Sequence, residues 1–378
     1  MRIRDLGYAP GRFKPGPQNS VLDVEGVRVG QVTIHEGSDV HTGVTTILPR
    51  DPDFVRTHPC YAGLHVLNGI GELTGTHGVE EFGTINTPIA LTSTVSVGKV
   101  YDALYMWMFD RAKDAGEDYG QILENLGIPV VGETLDCILS DITRSAVEKP
   151  HVYQALEQAI HNPQVLEGSH GGGTGMRCHA YKGGTGTSSR IVPGETKDYT
   201  LGVLVQANYG WQTDLQIGGV PVGRILKEEL PTKPVPSTSG EGSIIVLIFT
   251  DAPMLPHQLR RLAQRATVGM AQVGGHGTGR NYSGDMFLAI STGNVPQEHL
   301  KLGDPGYRPR VEYFGVDTIR NDCIDSLFYA AAEATEEAIL NALVGAREGL
   351  TGFQGNRAEG LPVERVAELL KTYRVART

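Results

Sequence analysis

Two short stretches of this 378-residue sequence carry residue types whose spacing could do chemistry. The first is Gly242-Ser243, at the junction between the proline-rich segment PTKPVPSTSGEG over 231–242 and the apolar run SIIVLIFT over 243–250. Serine is a poor strand residue beside Ile244, Ile245 and Val246, and it can act there as a plain hydrogen-bonding cap. It can also do more. If the peptide bond before it were broken, Ser243 would carry a hydroxyl nucleophile and a new α-amine on one residue. That amine's pKa of about 7.7–8.0 leaves a neutral fraction able to take the hydroxyl proton. The break itself would come from attack of the hydroxyl on the preceding carbonyl, a close approach that glycine at 242 permits and a Cβ would obstruct.

The second stretch is Tyr282-Ser283-Gly284-Asp285, followed by Phe287 to Asn294 (FLAISTGN). At the two-residue period of a strand, Ser283 and Asp285 share a face. A hydroxyl beside a carboxylate can there orient or tune an amine or serine; the same residues also suit a turn entering a strand. Other mechanisms lack their motifs. The sequence has no HExxH, GxSxG, GxGxxG or GxxxxGK[ST], which removes the usual marks of zinc proteases, α/β-hydrolases, dinucleotide folds and P-loops. The glycine clusters at 68–75, 171–175 and 274–279 can cradle an anion or simply turn the chain. His170, His179 and His276 lie near them without the i, i+4 spacing of helical metal ligands, so neither metal nor cofactor is expected.

These residues need a scaffold. Short strands are expected at Ser20 to Val29, Gln31 to His35 and Gly43 to Leu48, with Gly26 and Gly30 as punctuation, and another at Tyr199 to Ala207. The run 243–250 reads as a strand covered on both faces. Helical spacing marks Val100 to Ala115, Val152 to Ile160, Pro256 to Val273, Ile324 to Leu343 and a C-terminal helix opened by Pro362. Loops are expected to converge within Gly168 to Arg190, and 231–242 reads as a linker or exposed loop.

Composition narrows the function classes. Lys plus Arg number 33 against 43 Asp plus Glu, a formal charge of −10, and no basic run occurs, which argues against nucleic acid as a partner. The first twenty residues hold no apolar signal core and no uncharged apolar stretch reaches about 18 residues; a soluble, cytoplasmic protein without membrane partners is expected. The four cysteines form no CxxC, so buried thiols are expected.

Several segments in order resemble the self-processing L-aminopeptidases, the family that includes L-aminopeptidase D-Ala-esterase/amidases and β-peptidyl aminopeptidases. They include Asn19 to Gly30, LNGIGELTG at 67–75, PIALTSTVSVG at 88–98, Val130 to Asp136, Gly171 to Arg190, VQANYG at 205–210, EGSIIVLIFTDAPMLPHQ at 241–258 and Ser283 to Asn294. The resemblance implies an α+β fold, a four-layer αββα sandwich similar to N-terminal-nucleophile hydrolases with different connectivity. It implies self-cleavage at Gly242-Ser243 into chains 1–242 and 243–378 of one folded unit, and homo-oligomers of such pairs. The implied activity is metal-independent release of the N-terminal residue from small peptides, amides or esters. Ser243 then matches the nucleophile, Ser283 and Asp285 the element around it, and Asn208 the donor to the oxyanion, a role worth about 3–4 kcal/mol. Glu133 matches the carboxylate for the substrate's free amine. The chain departs from the family at Leu135, where a catalytic tyrosine is usual; Tyr209 and Tyr282 are the candidates to replace it. Two alternatives stand beside this reading: an acyltransferase similar to the self-cleaving ornithine acetyltransferases, and an uncleaved binding protein on the same scaffold.

Overall fold

In the computed structural model, which describes residues 1–230, 242–274, 281–296, 311 and 313–373, the apolar runs of the sequence become the central strands of two stacked sheets. Residues 231–241 of the proline-rich segment and residues 275–279 with His276 lie outside those described. In chain order the first elements are β1 (Arg28–Glu36), β2 (Val40–Leu48), β3 (Cys60–Gly69), α1 (Thr76–Phe82), β4 (Thr84–Ile85), β5 (Ile89–Ser93) and α2 (Val97–Asp114). Next come α3 (Tyr119–Glu124), β6 (Val130–Thr134), α4 (Lys149–His161), β7 (Arg177–Cys178), β8 (Tyr181–Lys182), β9 (Gly184–Val192), β10 (Tyr199–Asn208) and α5 (Val222–Glu229). They are followed by β11 (Ser243–Thr250), α6 (Pro256–Ala263), α7 (Ala266–Val273), β12 (Gly284–Ser291), α8 (Asp325–Gly345) and α9 (Val363–Thr372). One sheet runs β1-β2-β5-β6 and the other β4-β3-β12-β11-β10-β9.

Side-chain parity sorts the strands into layers. In β11, Ile245, Leu247 and Phe249 join the core between the sheets, while Ile244, Val246 and Ile248 join the core under the helices. Every residue of that strand except Ser243 is buried, which is why its apolar run is continuous. Helices α2 and α4 cover the outer face of the first sheet, and α6, α7 and α8 cover the second. The chain is therefore an α+β four-layer αββα sandwich. Strands β11 and β12, which follow residue 242, lie between β3 and β10, which precede it.

Local expectations fail where a capping or packing contact overrides composition. Val21–Asp23 is a single 3-10 turn, because Ser20 accepts from the Leu22 amide and Asp23 accepts from that of Ser20. Strand β1 begins only at Arg28 and runs straight through Gly30. Much of the expected loop at 168–190 is the buried strand β9: at Gly186 a Cβ would stand 1.9 Å from the Ala338 carbonyl oxygen, so small residues there let α8 lie directly on the sheet. The single helix expected over 256–273 is two, α6 and α7, and Pro362 is the N-cap of α9 rather than its first residue. Cys60 and Cys178 are buried, but Cys137 is half-buried and Cys323 exposed.

Candidate active site

Strand direction brings the chemistry to one edge. Strands β11 and β12 are parallel, with Ile244 opposite Asp285, so their N-terminal ends coincide. Strand β10 runs antiparallel to β11 and delivers Asn208 opposite Ser243, while β3 delivers Gly69 opposite Gly284. In the other sheet, β5 and β6 are parallel and end together at Ser93 and Thr134, with Glu133 opposite Thr92. Gln206 ties the two sheets by donating to the Thr92 carbonyl at 3.0 Å and to the Thr134 hydroxyl at 2.8 Å.

Gly242 and Ser243 are both part-exposed. The Gly284 amide donates to Ser243 Oγ at 3.1 Å, and Ser283 Oγ lies 2.5 Å from the Gly242 carbonyl oxygen and 2.8 Å from Asp285 Oδ1. Ser283 has one proton for two acceptors. Asp285 is fully buried, its Oδ2 has no hydrogen-bond partner among the described residues, and burial pushes its carboxyl up to about 6 against the opposing pull of the Ser283 hydroxyl. In its protonated form Asp285 can donate to Ser283, which then directs its own proton onto the Gly242 carbonyl. At Gly242 a Cβ would sit 1.8 Å from the Asn208 carbonyl oxygen, so the backbone of β10 leaves no room for a side chain there.

Asn208 is held at both ends of its amide: Oδ1 accepts from the Arg177 backbone amide at 2.8 Å, and Nδ2 donates to the Leu135 carbonyl at 2.9 Å. Glu133 is buried, accepts from the Glu72 amide at 2.9 Å and is also bonded by the Thr94 hydroxyl. Burial raises its pKa, with those two donors pulling the other way and the Glu72 carboxylate adding to the rise. The structure thus gathers Gly242, Ser243, Ser283 and Asp285 through direct bonds, with Asn208 opposite Ser243 and Glu133 two residues from Leu135. Neither candidate tyrosine is hydrogen-bonded to them among the described residues. Tyr209 is buried under the helices against His179, with Asp285 and the Cys178 thiol as its electrostatic neighbours and no hydrogen bond to its hydroxyl among the described residues, while Tyr282 is exposed. Thr94 and the backbone amides of Gly284, Glu72 and Arg177 escaped the sequence reading, because residue type says nothing about where a backbone donor points.

Among the described residues no three His, Cys, Asp or Glu side chains converge as metal ligands, and no helix is long and apolar enough to cross a membrane. Comparison with known proteins extends the picture. The chain is 43% identical to the β-peptidyl aminopeptidase BapA of Sphingosinicella microcystinivorans, over 99% of this chain and 92% of that one. It superposes on a Burkholderia sp. β-aminopeptidase with a TM-score of 0.86 at 45% identity, covering 98% of this chain and 99% of the other. The L-aminopeptidase D-Ala-esterase/amidase of Ochrobactrum anthropi, a prototype for the serine aminopeptidases and a variant among the Ntn hydrolase fold, matches with a TM-score of 0.84 at 36% identity, over 100% of this chain and 99% of that one. Fold and relatives together define a serine-type aminopeptidase built on a variant N-terminal-nucleophile sandwich. The signature of peptidase family S58 spans residues 19–358, and the chain belongs to that family.

Proposed function

We propose that the chain matures by cutting itself between Gly242 and Ser243 and then works as an aminopeptidase with Ser243 as nucleophile. The observation that carries this reading is the Ser283 hydroxyl on the Gly242 carbonyl, at 2.5 Å, with Ser243 Oγ fixed alongside by the Gly284 amide. A donor on that oxygen polarises the carbonyl toward the neighbouring hydroxyl. Ser243 Oγ attacks the Gly242 carbon, its proton passes to the departing Ser243 nitrogen, and water hydrolyses the resulting ester. Gly242 is left with a carboxylate and Ser243 with a free α-amine.

In the mature enzyme that amine takes the Oγ proton as Ser243 attacks the substrate carbonyl. Asn208 Nδ2 stabilises the oxyanion, the leaving group departs with the proton, and water releases the first residue from Ser243. Glu133 pairs with the substrate's ammonium, which restricts the enzyme to small peptides, amides or esters with a free amino end. Chains 1–242 and 243–378 stay together because β11 and β12 lie inside the sheet that β3 and β10 flank. The same reading has these paired chains assembling into homo-oligomers.

Denaturing electrophoresis with intact mass spectrometry tests the reading. The purified protein should give two species of about 26 and 15 kDa at ~110 Da per residue, the smaller beginning at Ser243. Ser243→Ala should give one full-length species with no peptidase activity. A single uncut species with full activity, or an uncut species that binds peptides without hydrolysing them, would overturn it.

A further inference from the structure

Arg177 is a part-buried cation at the edge of this site without a counter-charge. Its backbone amide is committed to Asn208, but its side chain makes no hydrogen bond and no ion pair among the described residues, and its Nε is buried without a partner. Other buried cations have carboxylate or carbonyl partners, although Arg190 Nε, like that of Arg177, makes no hydrogen bond among the described residues. Arg190 lies between Glu333 and Glu337, Arg56 is clamped by Glu117, and Lys182 donates to the carbonyls of Gly173, Met176 and Gly183. The ionisable group that Arg177 faces is Cys137, whose thiol is itself pushed up by burial and so is neutral at neutral pH. Because Arg177 is only part-buried, an anion arriving from solvent can reach its guanidinium and supply the missing counter-charge.

The place is informative. The bond from Asn208 Nδ2 to the Leu135 carbonyl marks the centre of the site, with Glu133 two residues before Leu135 and Cys137 two residues after it. Asn208, which lies opposite Ser243, is thus bonded at one end of its amide to the backbone of Arg177 and at the other to the Leu135 carbonyl two residues after Glu133, so the two charged residues adjoin the same catalytic side chain.

We propose that Arg177 is a specificity-determining residue that binds the free α-carboxylate of a dipeptide, so that the enzyme favours dipeptides over the corresponding amides. This rests on the aminopeptidase reading above, in which Glu133 takes the amine. A guanidinium suits a carboxylate because it offers paired donors in one plane, and a charge-assisted contact of this kind is worth about 10- to 100-fold in binding.

The test compares mature wild-type and Arg177→Gln enzymes on X-Ala, X-Ala-amide, X-Glu-amide and X-amide, where X is the residue the wild type releases fastest from its amide. Wild-type kcat/KM should favour X-Ala over X-Ala-amide by about tenfold or more, chiefly through KM, and Arg177→Gln should bring that ratio near one, with Arg177→Lys between them. A wild-type ratio near one overturns the proposal without any variant, as does a ratio that Arg177→Gln leaves unchanged. A preference for X-Glu-amide over X-Ala overturns the assignment of the α-carboxylate in favour of an acidic side chain. If the wild type cleaves no amino-acid amide at all, so that X cannot be chosen, the aminopeptidase reading falls and takes this one with it; cleavage of X-amide with an unchanged ratio removes only Arg177.

Discussion

Gly242→Ala is the substitution that most directly strains the proposed maturation. Its Cβ would lie 1.8 Å from the Asn208 carbonyl oxygen and 2.8 Å from the carbon of that carbonyl, whereas ordinary contact begins at 3.4 Å. Both partners are backbone atoms of strand β10, so no side-chain rotation relieves the overlap. Residue 242 must move by about 1.6 Å, a distance larger than the ~1 Å misplacement that costs on the order of 10²-fold in a positioned reaction. The same movement takes the Gly242 carbonyl away from Ser283 Oγ, now at 2.5 Å, and away from attack by Ser243. The expected result is a self-cleavage rate at least about 10²-fold lower, with the folded single chain accumulating. Freshly synthesised protein would be sampled over time on denaturing gels, with circular dichroism and gel filtration confirming that the uncut chain is folded. Gly242→Ala protein that converts to two chains as fast as the parent would refute the reasoning, since the close approach at 242 would then be irrelevant to the cut.

Two further outcomes follow from the buried carboxyls. Glu133→Gln should raise KM for free-amine substrates by about tenfold. Because burial lifts Glu133 above its ordinary 4.5, the wild-type KM should climb as pH falls through a value higher than that; the glutamine variant should lose this dependence, and a pH profile of KM that is the same in both enzymes removes Glu133 from amine binding. For Asp285, raised from 3.8 to about 6, the folded chain keeps a proton that the unfolded chain has released, so its contribution to stability is present below 3.8 and lost as pH rises through about 6. In a Ser243→Ala background, Asp285→Asn should therefore gain up to about 3 kcal/mol relative to its parent between pH 4 and pH 8. Urea unfolding at the two pH values checks it, an equal difference at both being the contrary result.

The sequence alone determined which residues have reactive chemistry and which segments have a preferred local form. Serine beside glycine before an uninterrupted apolar run, and Ser283 and Asp285 two positions apart, are legible because side-chain type and strand period are local properties. So are the amphipathic helices, whose apolar faces repeat within one element. The tertiary structure alone decided what those residues meet. That Gly242 lies against Asn208, that β9 is a buried strand rather than a loop, that Tyr209 turns under the helices, and that the Arg177 side chain has no ion-pair partner among the described residues all depend on contacts between residues far apart in the chain. Strand order and direction set those contacts, and backbone amides such as that of Gly284 act through position rather than identity. No single stretch of sequence encodes such positions, since they arise only when two sheets and their covering helices pack around a shared core.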